Sequence, residues 1–290
     1  MERNDEHIDF FKELDSPFDQ SEDELWESIA ARTVDKPAEG PVADKTPKIK
    51  KEAKVVRMSW LQYSAAACAL LLLGFGLFAR FYTVTVYSKK GQHLTHTLPD
   101  GSGVELNADT EIAYHPYWWN ISRKVDLAGE AFFDVAKGKN FRIESEKGVT
   151  QILGTSFNIY ARGEEYKVFC KTGKVRVSNN SSDVRMVINP GELAVVDNKT
   201  LRGHISKASA TETLSWKENK FVFKSRKLDI VLTEIERQFD VQIKINSKTS
   251  SELLYEGYFS KDKSVEKVLD KICLSLNLKY EKTRDGYKVY

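Results

Sequence analysis

Hydrophobic and polar positions change period three times along this chain. From Met58 to Ala79 it reads MSWLQYSAAACALLLLGFGLFA, with no charged residue. At about 1.5 Å of rise per residue, a helix here is roughly 33 Å long, enough for a hydrocarbon core of about 30 Å. Ala65 to Leu73 are Ala, Cys and Leu, and Ala and Leu are strong helix formers. A core helix of a soluble protein is seldom apolar on every face for six turns. Trp60 and Tyr63 sit at one end and Phe78, Phe81 and Tyr82 at the other, where amphipathic rings favour the headgroup layer. A polar stretch, residues 1–57, comes first. The pattern therefore predicts an uncleaved anchor over residues 58–80 and not a signal peptide near the amino terminus.

Before this stretch the period is helical and brief. Ile8 and Phe11, with Phe10 and Leu14, fall on one side of a short helix that Ser16-Pro17 ends. Ser21 and Glu24 form a capping box ahead of Leu25, Trp26, Ile29 and Ala30 at helical spacing. Two such helices bury too little to be stable alone. Either they pack on each other as a hairpin, or they order on a partner, and the exposed Phe11 and Trp26 favour the partner. Residues 35–57, with Pro37, Pro41 and Pro47, read as a tether.

After the apolar stretch the period becomes two. Apolar pairs recur about every ten residues, from Thr83–Tyr87 through Val104 and Leu106, Ile112 and Tyr114, and Val125 and Leu127. Ala131, Phe133 and Val135 follow, with Gly129 between, and the series runs on to Leu193 and Val195. Gly, Asn and Asp punctuate it. That spacing predicts an all-β sandwich or barrel-like domain over 81–205. From Lys220 the periods alternate. Leu228, Val231, Leu232, Ile235 and Phe239 share a helical face, as do Val265, Val268, Leu269, Ile272 and Leu276 behind a Ser264 cap. Strand patterns lie between and after them, so 218–290 predicts a small βαββαβ domain of the α+β class.

Charge sets the orientation. Net charge is +2, but residues 1–47 carry fourteen acidic against five basic residues. Lys48, Lys50, Lys51, Lys54 and Arg57 then form a basic collar, whereas only Arg80 lies close on the far side. Lysine and arginine are retained on the cytoplasmic side. The expected protein is a multi-domain, single-pass one, with a short α-helical head (1–57) in the cytoplasm and the body in the periplasm. An acidic head repels phosphates, which argues against direct nucleic-acid binding and for a basic protein partner.

Candidate chemistry is sparse. Cys68 lies in the apolar stretch. Cys170 and Cys273 stand at apolar positions of separate domains, read as small core residues in preference to a disulfide. His93 and His96 point to opposite faces of a strand, so no metal site is expected. Asp126, Glu130 and Asp134 read as an outward, solvated face. Trp118-Trp119 reads as the cap of a sandwich end, with sugar or partner binding as the alternative. No cofactor loop, nucleophile elbow or metalloprotease motif is present, and no enzyme is expected. Gly154-Thr155 is either an ordinary turn or a bond that its own threonine hydroxyl attacks, since glycine admits strained backbone.

Five runs then resemble one family. They are LPDGSGVELN (Leu98–Asn107), RKVDLAGEAFFDV (Arg123–Val135), LGTSFNIYA (Leu153–Ala161), GKVRV (Gly173–Val177) and PGE (Pro190–Glu192). Their order and spacing resemble the ferric-citrate regulator (FecR) family of transmembrane anti-sigma factors. Residues from about 218 to 290 resemble the extra domain of members from the Bacteroides group, which is similar to short secretin and TonB N-terminal modules. The resemblance implies a head that binds an extracytoplasmic-function sigma factor, with Phe11, Leu14, Leu25, Trp26 and Ile29 as contacts. It implies a body that meets the signalling domain of a TonB-dependent outer-membrane receptor, and an inner-membrane location. Some members self-cleave at the bond matching Gly154-Thr155, after which signalling proceeds by proteolysis within the membrane. A membrane-anchored periplasmic scaffold or carbohydrate-binding protein is the alternative reading of the same residues.

Overall fold

The computed structural model describes Asp23, Glu27 and residues 60–290, apart from 139, 182–183, 198–201 and 247–250. Met58–Tyr290 forms one compact unit. Its first element is a helix over Trp60–Phe81. Leu70, Leu71, Leu72, Leu73 and Phe75 along it are all exposed, so none of the described residues covers the middle of its apolar surface, and Ala79 near its end is buried. Among the described residues it is the one helix long and apolar enough to cross a membrane.

Only Tyr82 and Thr83 separate this helix from the first strand, β1 (Val84–Ser88). Alternating side chains then build a large β domain. Strands β2 (Leu94–Thr97), β3 (Gly103–Leu106) and β4 (Thr110–Tyr114) lead to the long β5 (Arg123–Asp134). Next come β6 (Phe141–Glu144), β7 (Val149–Ile152), β8 (Ser156–Arg162) and β9 (Glu165–Cys170). Strands β10 (Val175–Ser178), β11 (Arg185–Ile188), β12 (Glu192–Asp197) and β13 (Arg202–Lys207) complete it.

Strand β5 belongs to two sheets. Its first half pairs with β4 and β6, in a sheet ordered β1-β4-β5-β6-β7-β10-β11. Its second half pairs with β3 and β8, in a sheet ordered β2-β3-β5-β8-β9-β12-β13. The crossing point is Gly129, at φ +119°. A Cβ there would stand 2.6 Å from Thr110 Oγ1 and 2.8 Å from Thr110 Cα, so the close approach needs glycine. The sequence pattern divides this run in two at Gly129; the structure keeps one bent strand through it.

The two sheets enclose a core of fully buried rings and branched chains. Phe133 stacks on Phe157 at 5.4 Å between centroids, and Tyr166 shares a 2.7 Å hydrogen bond with Thr150. Trp119 plugs one end, edge-on to Tyr114 and Phe141 at 5.6 Å each. It is buried, and Trp118 beside it is half-buried. Cys170 lies in this core and Cys273 in the next, both as free thiols.

The last region is α+β. Strand β14 (Lys220–Lys227) pairs antiparallel with β16 (Leu254–Ser260). Strand β15 (Gln242–Ile245) pairs parallel with β18 (Gly286–Val289), which closes a hairpin with β17 (Tyr280–Thr283). Helices Leu228–Phe239 and Val265–Ser275 supply the apolar faces read from the sequence. Ser264 caps the second, accepting from the Lys267 amide. The strands fall into two small sheets, β14–β16 and β15–β18–β17, and the closing hairpin gives the order βαββαββ, one strand more than the βαββαβ expected.

Candidate functional site

The Gly154–Thr155 bond lies in the turn between β7 and β8. Gly154 adopts φ +146°, where a side chain is strained. A Cβ there would also stand 2.8 Å from Lys137 Cα. The flanking backbone is pinned: the Gly138 amide donates to Leu153 O at 3.1 Å, and the Val135 amide to Thr155 O at 3.0 Å. The Ser156 amide donates to Thr172 Oγ1 at 2.9 Å. On the other side a Cβ on Gly173 would stand 2.4 Å from the Thr155 methyl carbon. Thr155 is thus held between two glycines with little freedom.

Its hydroxyl has an unusual status. Thr155 is buried, and Oγ1 has no hydrogen-bond partner among the described residues. A buried hydroxyl left unpaired costs about 1–3 kcal/mol, and such a group is one whose job must be sought. A threonine hydroxyl that attacked the preceding carbonyl carbon would form an ester and free the threonine amine, and one water would then split the ester. A cleft of about 300 Å³, lined by Gly154, Thr155, Asn140, Gln151, Lys174 and Arg176 among others, opens beside the bond.

A second polar cluster joins the β domain to the last region. Glu130 and Phe132 point outward from β5, and the last region covers them. Phe132 is part of the same apolar cluster as Trp216, Leu228 and Phe259. Lys217 stands 3.8 Å above the Phe132 ring. Glu130 accepts from Asn107 and Asn158 at 2.9 Å each. Asn107 in turn accepts from Gln238 at 2.8 Å, and Asn158 from the Trp216 indole at 3.2 Å. His93 meets Gln238 at 3.2 Å and lies edge-on to Trp216. Burial pushes the Glu130 carboxyl up, with Arg162 opposing and Glu234 adding to the shift. Burial also raises the Tyr160 phenol to about 12 and, with Lys261, lowers the His93 ring. Arg226 clamps Glu165 with two bonds, at 3.0 and 2.7 Å.

This cluster corrects the reading of Asp126, Glu130 and Asp134 as one solvated face. Asp126 and Asp134 are exposed, but Glu130 is buried. The physical reason is a second layer on that half of β5 alone. The signal lay in Phe132-Phe133, two adjacent large apolar residues on a strand, which mark burial on both faces. His93 and His96 do go to different neighbours: His96 bonds the Tyr114 hydroxyl at 2.9 Å. Phe11, Leu14, Leu25, Trp26 and Ile29 fall outside the described residues.

Comparison with known proteins gives the class and then the family. The β body with an appended α+β region is also the fold of a candidate anti-sigma factor from Parabacteroides distasonis ATCC 8503. Its crystal structure at 1.65 Å is 27% identical, with a TM-score of 0.66, and covers 71% of this chain and 98% of that one. A second crystal structure under the same description, at 2.50 Å, is 27% identical with a TM-score of 0.67 and covers 72% of this chain and 99% of that one. The family model described as "FecR protein" matches residues 84–176, and that described as "FecR, C-terminal" matches 220–290. The two matches take in more than half of the chain, which belongs to the FecR family. No curated protein matches it.

Proposed function

We propose that this chain is a single-pass anti-sigma factor that carries a signal across the inner membrane. Residues 1–57 lie in the cytoplasm and hold an extracytoplasmic-function sigma factor through Phe11, Leu14, Leu25, Trp26 and Ile29. The body lies in the periplasm and meets the signalling domain of a TonB-dependent outer-membrane receptor. The observation that carries this reading is the joint presence of both FecR segments behind one apolar helix of spanning length. The acidic head and the basic collar before that helix supply the orientation.

The route of the signal is short. Two residues separate the helix from β1, so a force on the body reaches the span without a slack linker. Self-cleavage at Gly154-Thr155 prepares the body for release, by the ester route its unpaired hydroxyl permits. Gly74 and Gly76 within the span loosen the helix for an intramembrane protease.

Co-purification of residues 1–57 with the sigma factors of its host tests the central claim. Leu25→Ala and Trp26→Ala should each weaken capture about 30-fold, as loss of a buried anchor worth ~2 kcal/mol requires. A head that captures none of those sigma factors sinks the proposal.

A further inference from the structure

We infer that the loop Pro116–Ile121 is a second membrane contact, seated in the headgroup layer of the same bilayer that the helix crosses. The inference rests on the proposed span and extends it to the β body. The loop is a single turn of 3-10 helix, Pro116–Trp118, followed by Trp119, Asn120 and Ile121. No Asp, Glu, Lys or Arg occurs from Ile112 to Ser122. Trp119 roots the loop in the sandwich core, while Tyr117 and Ile121 are 60% and 69% exposed. Large apolar groups presented this way without protein cover point to another phase.

The geometry names that phase. The Tyr117 ring lies 5.8 Å from Phe78 and 5.4 Å from Tyr82, both at the exit of the apolar helix. Phe78 is three residues before the helix end, a rise of about 4.5 Å. Tyr117 therefore stands at the depth of the last helical turn, where aromatic rings favour the interface. The Arg80 guanidinium sits 5.6 Å from the Trp118 ring and 5.5 Å from Phe81, at the level of lipid phosphates. The His115 ring meets the Tyr82 carbonyl at 3.1 Å and fixes the loop to the chain leaving the helix. An apolar surface continuous with the span, flanked by aromatic rings and one arginine, fits the boundary of headgroups and acyl chains. With two points of attachment, the body stands on the membrane in one orientation and does not swing about Tyr82-Thr83.

The test uses the full chain in vesicles of phosphatidylethanolamine and phosphatidylglycerol, with Cys68, Cys170 and Cys273 replaced by Ala. Single nitroxide labels go on Asn120→Cys, Ile121→Cys, Leu71→Cys and Val187→Cys. Position 187 lies on β11, six strands away from β1 in its sheet. Relaxation by oxygen, which prefers lipid, is compared with relaxation by an aqueous nickel chelate. The expected ratio of oxygen to nickel effect at 120 and 121 is about threefold or more above that at 187, in line with interfacial burial. A ratio at 120 and 121 equal to that at 187, with 71 in lipid, overturns the inference and leaves the span intact. Protection of 120 and 121 from both reagents means protein covers the loop, which also overturns it. A label at 71 that answers as aqueous overturns the span itself.

Discussion

Thr155 and Glu130 are both buried polar residues, and they solve the problem differently. Thr155 leaves its hydroxyl unpaired beside a glycine at φ +146°. If that oxygen attacks the Gly154 carbonyl, the wild-type chain separates on denaturing gels into residues 1–154 and 155–290. Thr155→Ala then stays in one piece, and Thr155→Ser still cleaves. A wild-type chain that stays whole in its host membrane removes the cleavage step. Glu130 is instead fully engaged with Asn107 and Asn158, and desolvation raises its pKa above the ordinary 4.5. The folded state then binds more protons than the unfolded one from about pH 4.5 up to the raised value. Stability contributed by this site falls as pH rises through that window. Glu130→Gln should flatten the decline in Tm above pH 4.5, read by circular dichroism on both proteins.

At the scale of elements, β5 decides the architecture. One strand serves both sheets only because it bends at Gly129, where Thr110 presses against the bare Cα. Gly129→Ala combines a strained φ with that clash and should cost about 2 kcal/mol or more. Chemical denaturation of the β body measures it, and an unchanged midpoint refutes the role given to the bend. Most strands were legible from alternation, since one face of each packs on the core and the other meets water. The two helices of the last region were legible too, each from one apolar stripe and Ser264 from its capping chemistry. What alternation could not separate is one bent strand from two straight ones, because a glycine marks either.

The whole molecule is defined by two junctions, one covered and one taut. The covered junction is the seam between β5 and the last region. Trp216 fills it and bonds Asn158. Trp216→Ala should cost ~3 kcal/mol from lost burial. Limited proteolysis should then cut the segment between β13 and β14 faster than in wild type, and equal rates contradict the seam's importance. The taut junction is Tyr82-Thr83. Inserting about ten Gly and Ser residues between them makes a flexible coil. Such a chain should fold and still hold its sigma factor, yet fail to answer a receptor signal in a reporter assay. An insertion that signals normally means that force does not travel through this link.

By itself the sequence determined everything that depends on local period and sign of charge. The apolar helix, the run of strands, the helix–strand alternation at the end and the lopsided basic collar are properties of neighbours within a few turns. The crowding around Gly154 and the burial of Glu130 lay beyond it. Each depends on what packs across a gap of many residues: Lys137 and Gly173 around the first, and Gln238 and Trp216 over the second. Burial is set by distant surfaces meeting, and only the tertiary structure says which ones meet.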